Sequence, residues 1–191
     1  SWDGAKFEVC GHKWADVSEG GYGVSILNDC KYGHDIHDGK MTLSLIKSGI
    51  LPNPTTDQEE HFFTYALLPH IGDYNAAYVQ KEAYCLNVPA VALRMEQDGN
   101  GTFDAASLFT LSADNVIAET VKPAEDGSGI IVRMYEDHNA RTAVTLTWHT
   151  EMKRIVECDL MENEIGEAAE QIADYTFTIK PFEIKTFKIC E

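Results

Sequence analysis

Positive charge is scarce in this chain. Its 191 residues carry 15 Lys and Arg against 31 Asp and Glu, a formal net charge of −16. A nucleic-acid partner needs clustered cations to release counterions, and an anionic membrane surface needs them too, so both partner classes are disfavoured. The acidity reads as a solubility field rather than as an address for a cationic partner. No apolar run reaches the length of a membrane span, and no signal-peptide pattern opens the chain. A phosphate-cradling glycine loop, a Gly-x-Ser-x-Gly elbow and a Ser-His-Asp signature are all missing, which removes the usual carriers of nucleotide and serine-nucleophile chemistry. Close cysteine pairs are missing as well. The five cysteines, Cys10, Cys30, Cys85, Cys158 and Cys190, are odd in number and scattered, so neither a zinc knuckle nor a redox dithiol is expected, and free thiols favour the cytoplasm. The first residue is Ser1 rather than Met, which suggests a fragment, a processed product or a tag scar.

What is present is alternation. Residues 22–27, 41–46, 62–68, 115–121, 129–135, 142–148, 175–180 and 182–189 read as strands bounded by Gly, Asp and Pro signals. Turns are explicit at His37-Asp38-Gly39-Lys40, Asp98-Gly99-Asn100-Gly101 and Asp126-Gly127. The Asp98 stretch imitates a calcium loop but has Phe103 and Phe109 where an EF-hand needs Gly and Glu. Two short segments, 73–83 and 161–172, carry helical spacing and are read as turns of helix or ordered loop. The expected class is all-β, an antiparallel β-sandwich with an immunoglobulin-like second half. A boundary is placed near Asn87-Val88-Pro89-Ala90, giving residues 1–88 and a small C-terminal β-sandwich over residues 89–191. The first portion is too thin in strands to bury both faces of its own sheet, so it is expected to belong to a larger sandwich that leans on something else.

Candidate chemistry is sparse. The carboxylates Glu59-Glu60, Glu125-Asp126 and Asp57 read as solvated loop charges rather than an acid–base pair. His34 and His37 flank Asp35, but an Asp-Gly turn follows at once, so a surface hairpin is favoured over a metal site. One of His61 and His70 is expected to be a core imidazole bonded to backbone. Gly23 and its neighbours read as a bulge or a close backbone approach, and Trp148, ending an alternating strand, as a core residue.

At His12-Lys13-Trp14-Ala15-Asp16, Gly21-Tyr22-Gly23-Val24, Leu27-Asn28-Asp29, Lys31-Tyr32-Gly33 and Leu43-Ser44-Leu45-Ile46-Lys47-Ser48 the residues stop being generic. With Pro52-Asn53-Pro54-Thr55-Thr56-Asp57, His61-Phe62-Phe63-Thr64-Tyr65, Val132-Arg133-Met134-Tyr135-Glu136 and Lys180-Pro181-Phe182-Glu183-Ile184, the chain resembles the C-terminal region of family 38 glycoside hydrolases. The resemblance is to the α-mannosidase branch that includes cytosolic, vacuolar and bacterial enzymes, and it covers essentially the whole chain. It implies a zinc-dependent, retaining exo-α-mannosidase. In that family the nucleophile, the acid/base and the zinc ligands lie in an N-terminal barrel that nothing here matches. No catalytic or metal-ligating residue is therefore assigned to this chain, no cofactor is expected on it, and zinc is expected on the barrel. The β-rich region of such enzymes packs on the barrel of the same polypeptide and lends loops to the rim of the mannoside pocket. The resemblance points to Asp29, Tyr32, Lys47, Asp57 and His61 as rim candidates. Lys47 stands where relatives usually have Arg, keeping the charge without the planar fork. The isolated chain is expected to be inactive. Two rival readings are a free-standing carbohydrate-binding module and a structural assembly domain capable of homo-oligomerisation.

Overall fold

The computed structural model describes residues 8–94 and 106–190, and the turn expected at Asp98-Gly99-Asn100-Gly101 lies outside them. The chain divides into two compact units, Ser1–Glu96 and Gln97–Glu191. As the alternation requires, the protein is all-β, with antiparallel pairing in every ladder among the described residues. No helix among those residues is long and apolar enough to cross a membrane.

The first unit holds β1 (Val9–Cys10), β2 (Trp14–Glu19), β3 (Tyr22–Asn28), β4 (Gly33–His37), β5 (Lys40–Leu43), β6 (Tyr65–Ile71) and α1 (Val79–Asn87). They form two three-stranded sheets, β1-β4-β5 and β2-β3-β6. The β4–β5 hairpin turns at Asp38 and Gly39, with φ of 51° and 72°, the double left-handed conformation of a two-residue hairpin. Strand β5 stops at Leu43 rather than running to Ile46, and β6 starts three residues later than the alternation suggests.

The helix is displaced from the expected 73–83. Asp73 Oδ1 accepts from the amides of Asn75 and Ala76 at 3.1 and 2.9 Å, and Tyr78 takes φ of 51°. These local bonds compete with helix formation, so a regular helix begins only at Val79. Its Val79 and Ala83, one turn apart, are buried against Leu27, with Trp14, Ala66, Leu68 and Tyr74 around them. Asn87 closes the helix by donating to Ala83 O at 2.8 Å and to Asn28 O at 2.9 Å, which ties the helix end to the end of β3.

The second unit is a two-layer sandwich. Its strands are β7 (Phe109–Leu111), β8 (Val116–Pro123), β9 (Ile130–Glu136), β10 (Thr142–Trp148), β11 (Arg154–Cys158), β12 (Ala169–Glu170), β13 (Asp174–Ile179) and β14 (Ile184–Cys190). They pair as β13-β10-β7 and β12-β11-β14-β9-β8. Inward residues of both layers make one core: Val144, Leu146, Trp148 and Ile179 from the first, Val132, Met134, Ile155, Phe187 and Ile189 from the second. Trp148 stacks on Phe109 at 5.7 Å. The stretch 161–172 forms no helix. It is ordered loop that bridges Cys158 to Glu164 and ends in β12.

Candidate functional site

The best candidate begins where β3 ends. Asn28 is fully buried, and its Oδ1 accepts the Lys31 amide at 2.9 Å, which folds the chain sharply after the strand. Asp29 then clamps the approach to β6: its amide donates to Thr64 O at 3.2 Å and its Oδ2 accepts the Thr64 amide at 2.9 Å. A hydrogen bond from the Cys30 side chain, then the Thr64 amide, holds the Asp29 carboxyl below the usual range. The same contact pushes the Cys30 thiol up. Lys31 Nζ sits 4.9 Å from the centre of the Phe63 ring, and Tyr32, 47% exposed, stacks on His12 at 4.3 Å. The turn thus presents an ammonium group and a half-exposed aromatic ring, with Asp29 held inside it: Oδ1 is buried and Oδ2 is taken by the Thr64 amide. These are groups that recognise hydroxyls and the apolar C–H face of a sugar.

The other rim candidates lie on neighbouring segments. Lys47 Nζ approaches Glu8 Oε2 at 3.4 Å, and Ser44 donates to the other oxygen of the same carboxylate. The Ser44 hydrogen bond and the Lys47 charge hold Glu8 low. His61 Nε2 lies 3.0 Å from Asp57 O in a loop whose start is organised by Asn53 Oδ1, the acceptor for the Thr55 amide and hydroxyl. Of the five candidates, Asp57 and His61 contact each other, while Asp29, Tyr32 and Lys47 each contact other residues. The partners His12, Phe63 and Thr64 lie in motifs that the resemblance picks out, but only the tertiary fold brings them to this turn.

A general acid at neutral pH needs a raised carboxyl, and Asp29 is shifted the other way. The turn is suited to binding rather than to proton transfer. Elsewhere, Glu136, Asp137 and His138 gather their donor atoms within 4.8 Å. They do not fit a zinc ion. Glu136 Oε1 accepts from Asn115 Nδ2 and from the His138 amide at 2.8 Å each, and Oε2 accepts from the Phe182 amide at 2.9 Å. Burial works to raise this carboxyl, but those hydrogen bonds outweigh it and hold it low. It ties β9 to the turn before β14, a structural role.

Two histidines depart from their sequence reading. His34, expected on a surface hairpin, is buried, with Nε2 3.3 Å from Gly11 O, whereas His37 stays at the exposed turn beside Asp38. His70 is the core imidazole of the His61/His70 pair, but its Nε2 meets a carboxylate, Asp16 Oδ1, rather than backbone. Glu125 and Asp126 pair with Lys122 and Lys188.

Residues 1–55 match the family described as "Glycosyl hydrolases family 38 C-terminal domain", and residues 115–187 match its "C-terminal beta sandwich domain". The chain is 39% identical over 193 residues to "Alpha-mannosidase G" of Dictyostelium discoideum, covering 98% of this chain and 18% of that protein. It is 36% identical over 189 residues to "Alpha-mannosidase 2C1" of Homo sapiens, covering 96% of this chain and 18% of that protein. The chain therefore spans about 18% of the length of these relatives. A crystal structure of an alpha-mannosidase from Enterococcus faecalis V583 superposes with a TM-score of 0.71 at 20% identity, covering 95% of this chain and 21% of that one, a likeness of fold.

Proposed function

The chain belongs to the family 38 glycoside hydrolases, matching their C-terminal region, and from this we propose that it is the C-terminal β-sandwich portion of an α-mannosidase. In this reading it supports the catalytic barrel of the same polypeptide and lends the turn after β3 to the rim of the mannoside pocket. The observation that carries the proposal is the 39% identity, over 98% of the chain, to a protein named as an α-mannosidase.

Hydrolysis with retention needs two carboxylates about 5–5.5 Å apart, one acting as nucleophile. That pair, and the zinc of such enzymes, belong to the barrel in this reading, because Asp29 is held ionised and Glu136 is saturated with N–H donors. The task left to this chain is to bind and orient. Tyr32 offers a ring face, Asp29 holds the turn that carries it, and Lys47, Asp57 and His61 border the approach. The cytoplasm is the proposed location, where the five unpaired thiols stay reduced.

The purified 191-residue chain is expected to leave an aryl α-mannoside intact, while the longer polypeptide that carries it hydrolyses the same substrate. Tyr32→Ala in that polypeptide is expected to raise KM more than it lowers kcat. Turnover by the short chain, or none by the long one, overturns the proposal. The exposed Tyr32–His12 stack favours one alternative, a free-standing carbohydrate-binding module. Mannose binding by the isolated chain, measured by calorimetry, would select it.

A further inference from the structure

The stack of Tyr32 on His12 is built from two chain segments, and the last turn of α1 touches both. The Gly11 amide donates to Tyr32 O at 2.9 Å, and the Asn28 amide donates to Lys13 O at 2.9 Å. The segment carrying His12 and the turn carrying Tyr32 are therefore joined on either side of the stack. Asn87 Nδ2 donates to Asn28 O at 2.9 Å, while the Lys13 ammonium lies 5.0 Å from the centre of the Tyr84 ring. Tyr84 and Asn87 stand at i and i+3, so they share a helix face and can serve the two segments together.

The helix is a fixed reference for those contacts. Val79 and Ala83 are fully buried against Leu27, the residue before Asn28. The Val88 amide closes the helix on Tyr84 O at 2.8 Å, and Asn87 Nδ2 does the same on Ala83 O at 2.8 Å. Asn28 has no freedom of its own, because it is fully buried and its Oδ1 takes the Lys31 amide. A displacement at Asn28 O therefore passes along the turn to Tyr32. All of these contacts lie within the first unit.

We propose that Asn87 is a positioning residue for α-mannoside hydrolysis. It acts through Asn28 to set the place of the Tyr32 ring, and Tyr84 sets His12 beneath that ring through Lys13. This role rests on the proposed function of Tyr32 at the mannoside rim. A ring that packs on the C–H face of a sugar gains only at contact distance, so its placement governs binding more than chemistry.

A double-mutant cycle in the longer polypeptide, with an aryl α-mannoside as substrate, tests the link. Asn87→Ala is expected to raise KM about fivefold, the scale of one hydrogen bond, with kcat kept within about twofold. Loss of folded enzyme lowers the apparent kcat and leaves KM alone, so the split separates placement from stability. In the Tyr32→Ala background the same substitution is expected to leave KM unchanged. Tyr84→Leu removes the ring beside Lys13 but neither bond from Asn87, and it too is expected to raise KM only while Tyr32 is present. An unchanged KM for Asn87→Ala, beside a raised one for Tyr32→Ala, overturns the positioning role alone. Equal rises in both backgrounds also overturn it, since Asn87 then acts by another route. No effect of Tyr32→Ala on KM overturns the rim function of Tyr32, and the positioning role with it.

Discussion

His70 Nε2 lies 2.7 Å from Asp16 Oδ1, with both side chains 5% exposed, and the imidazole occupies the space that a side chain at residue 23 would fill. The two residues sit on β6 and β2, the strands flanking β3, and Ser25 of β3 donates to the same carboxylate oxygen at 2.7 Å. One carboxylate therefore joins all three strands.

Gly23→Ala tests that arrangement. A Cβ there would meet His70 Cε1 at 2.5 Å and Ser18 Cβ at 2.7 Å, so the ring must move and the bond to Asp16 must break. The expected loss is about 1–3 kcal/mol, read as a lower urea midpoint with an unchanged slope.

Acid should destabilise the fold through its held-down carboxylates. Burial works to raise Asp16, while hydrogen bonds from Ser25, His70 and Ser18 outweigh it, so the folded value lies below the ordinary 3.8. Glu136 likewise lies below its ordinary 4.5. A depressed folded value means that each contribution is complete above the ordinary value and is lost as pH falls through the folded one. Unfolding free energy is expected to decline below about pH 4.5, and Glu136→Gln is expected to flatten that decline. At neutral pH the same substitution should cost about 1–3 kcal/mol by weakening bonds to buried donors.

Core and open-face aromatics should behave oppositely. Phe187 is fully buried and packs against Tyr175 and Phe177, so Phe187→Ala is expected to cost about 3–5 kcal/mol by calorimetry. Tyr22→Ala, on the open face, should change the stability of the 191-residue chain by no more than about 0.5 kcal/mol.

Arg154 grips Glu164 with two hydrogen bonds, at 2.8 and 2.6 Å, fastening the loop that follows β11. Both groups remain partly exposed, so solvent screens the pair. Arg154→Ala is expected to lower stability by less than about 1 kcal/mol, checked by urea denaturation at low and high salt.

The strands that were legible in the sequence are those with one apolar side and one polar side. Residues 142–148 and 130–136 alternate because the sandwich core takes one side and solvent takes part of the other. β2 was not legible, since the face it buries includes Asp16, whose polarity is matched by Ser25 and His70 on other strands. β11 was hidden because it is short: within its five residues the adjacent buried pair Ile155 and Val156 leaves no run of alternation to read. The turn at Asn28-Asp29 could be singled out by its residue types, but not its clamp to Thr64, which lies 35 residues away.

Local chemistry by itself determined the all-β class, the hairpin at Asp38-Gly39, the β-sandwich second half and the motifs that mark the family. Those features depend on residues adjacent in the chain, where period and turn preference act directly. Tertiary structure alone decided which histidines are buried, which carboxylates are held ionised and which face of β2-β3-β6 stays open. Each of those depends on what a distant strand places within about 3 Å, a distance that spacing along the chain does not encode.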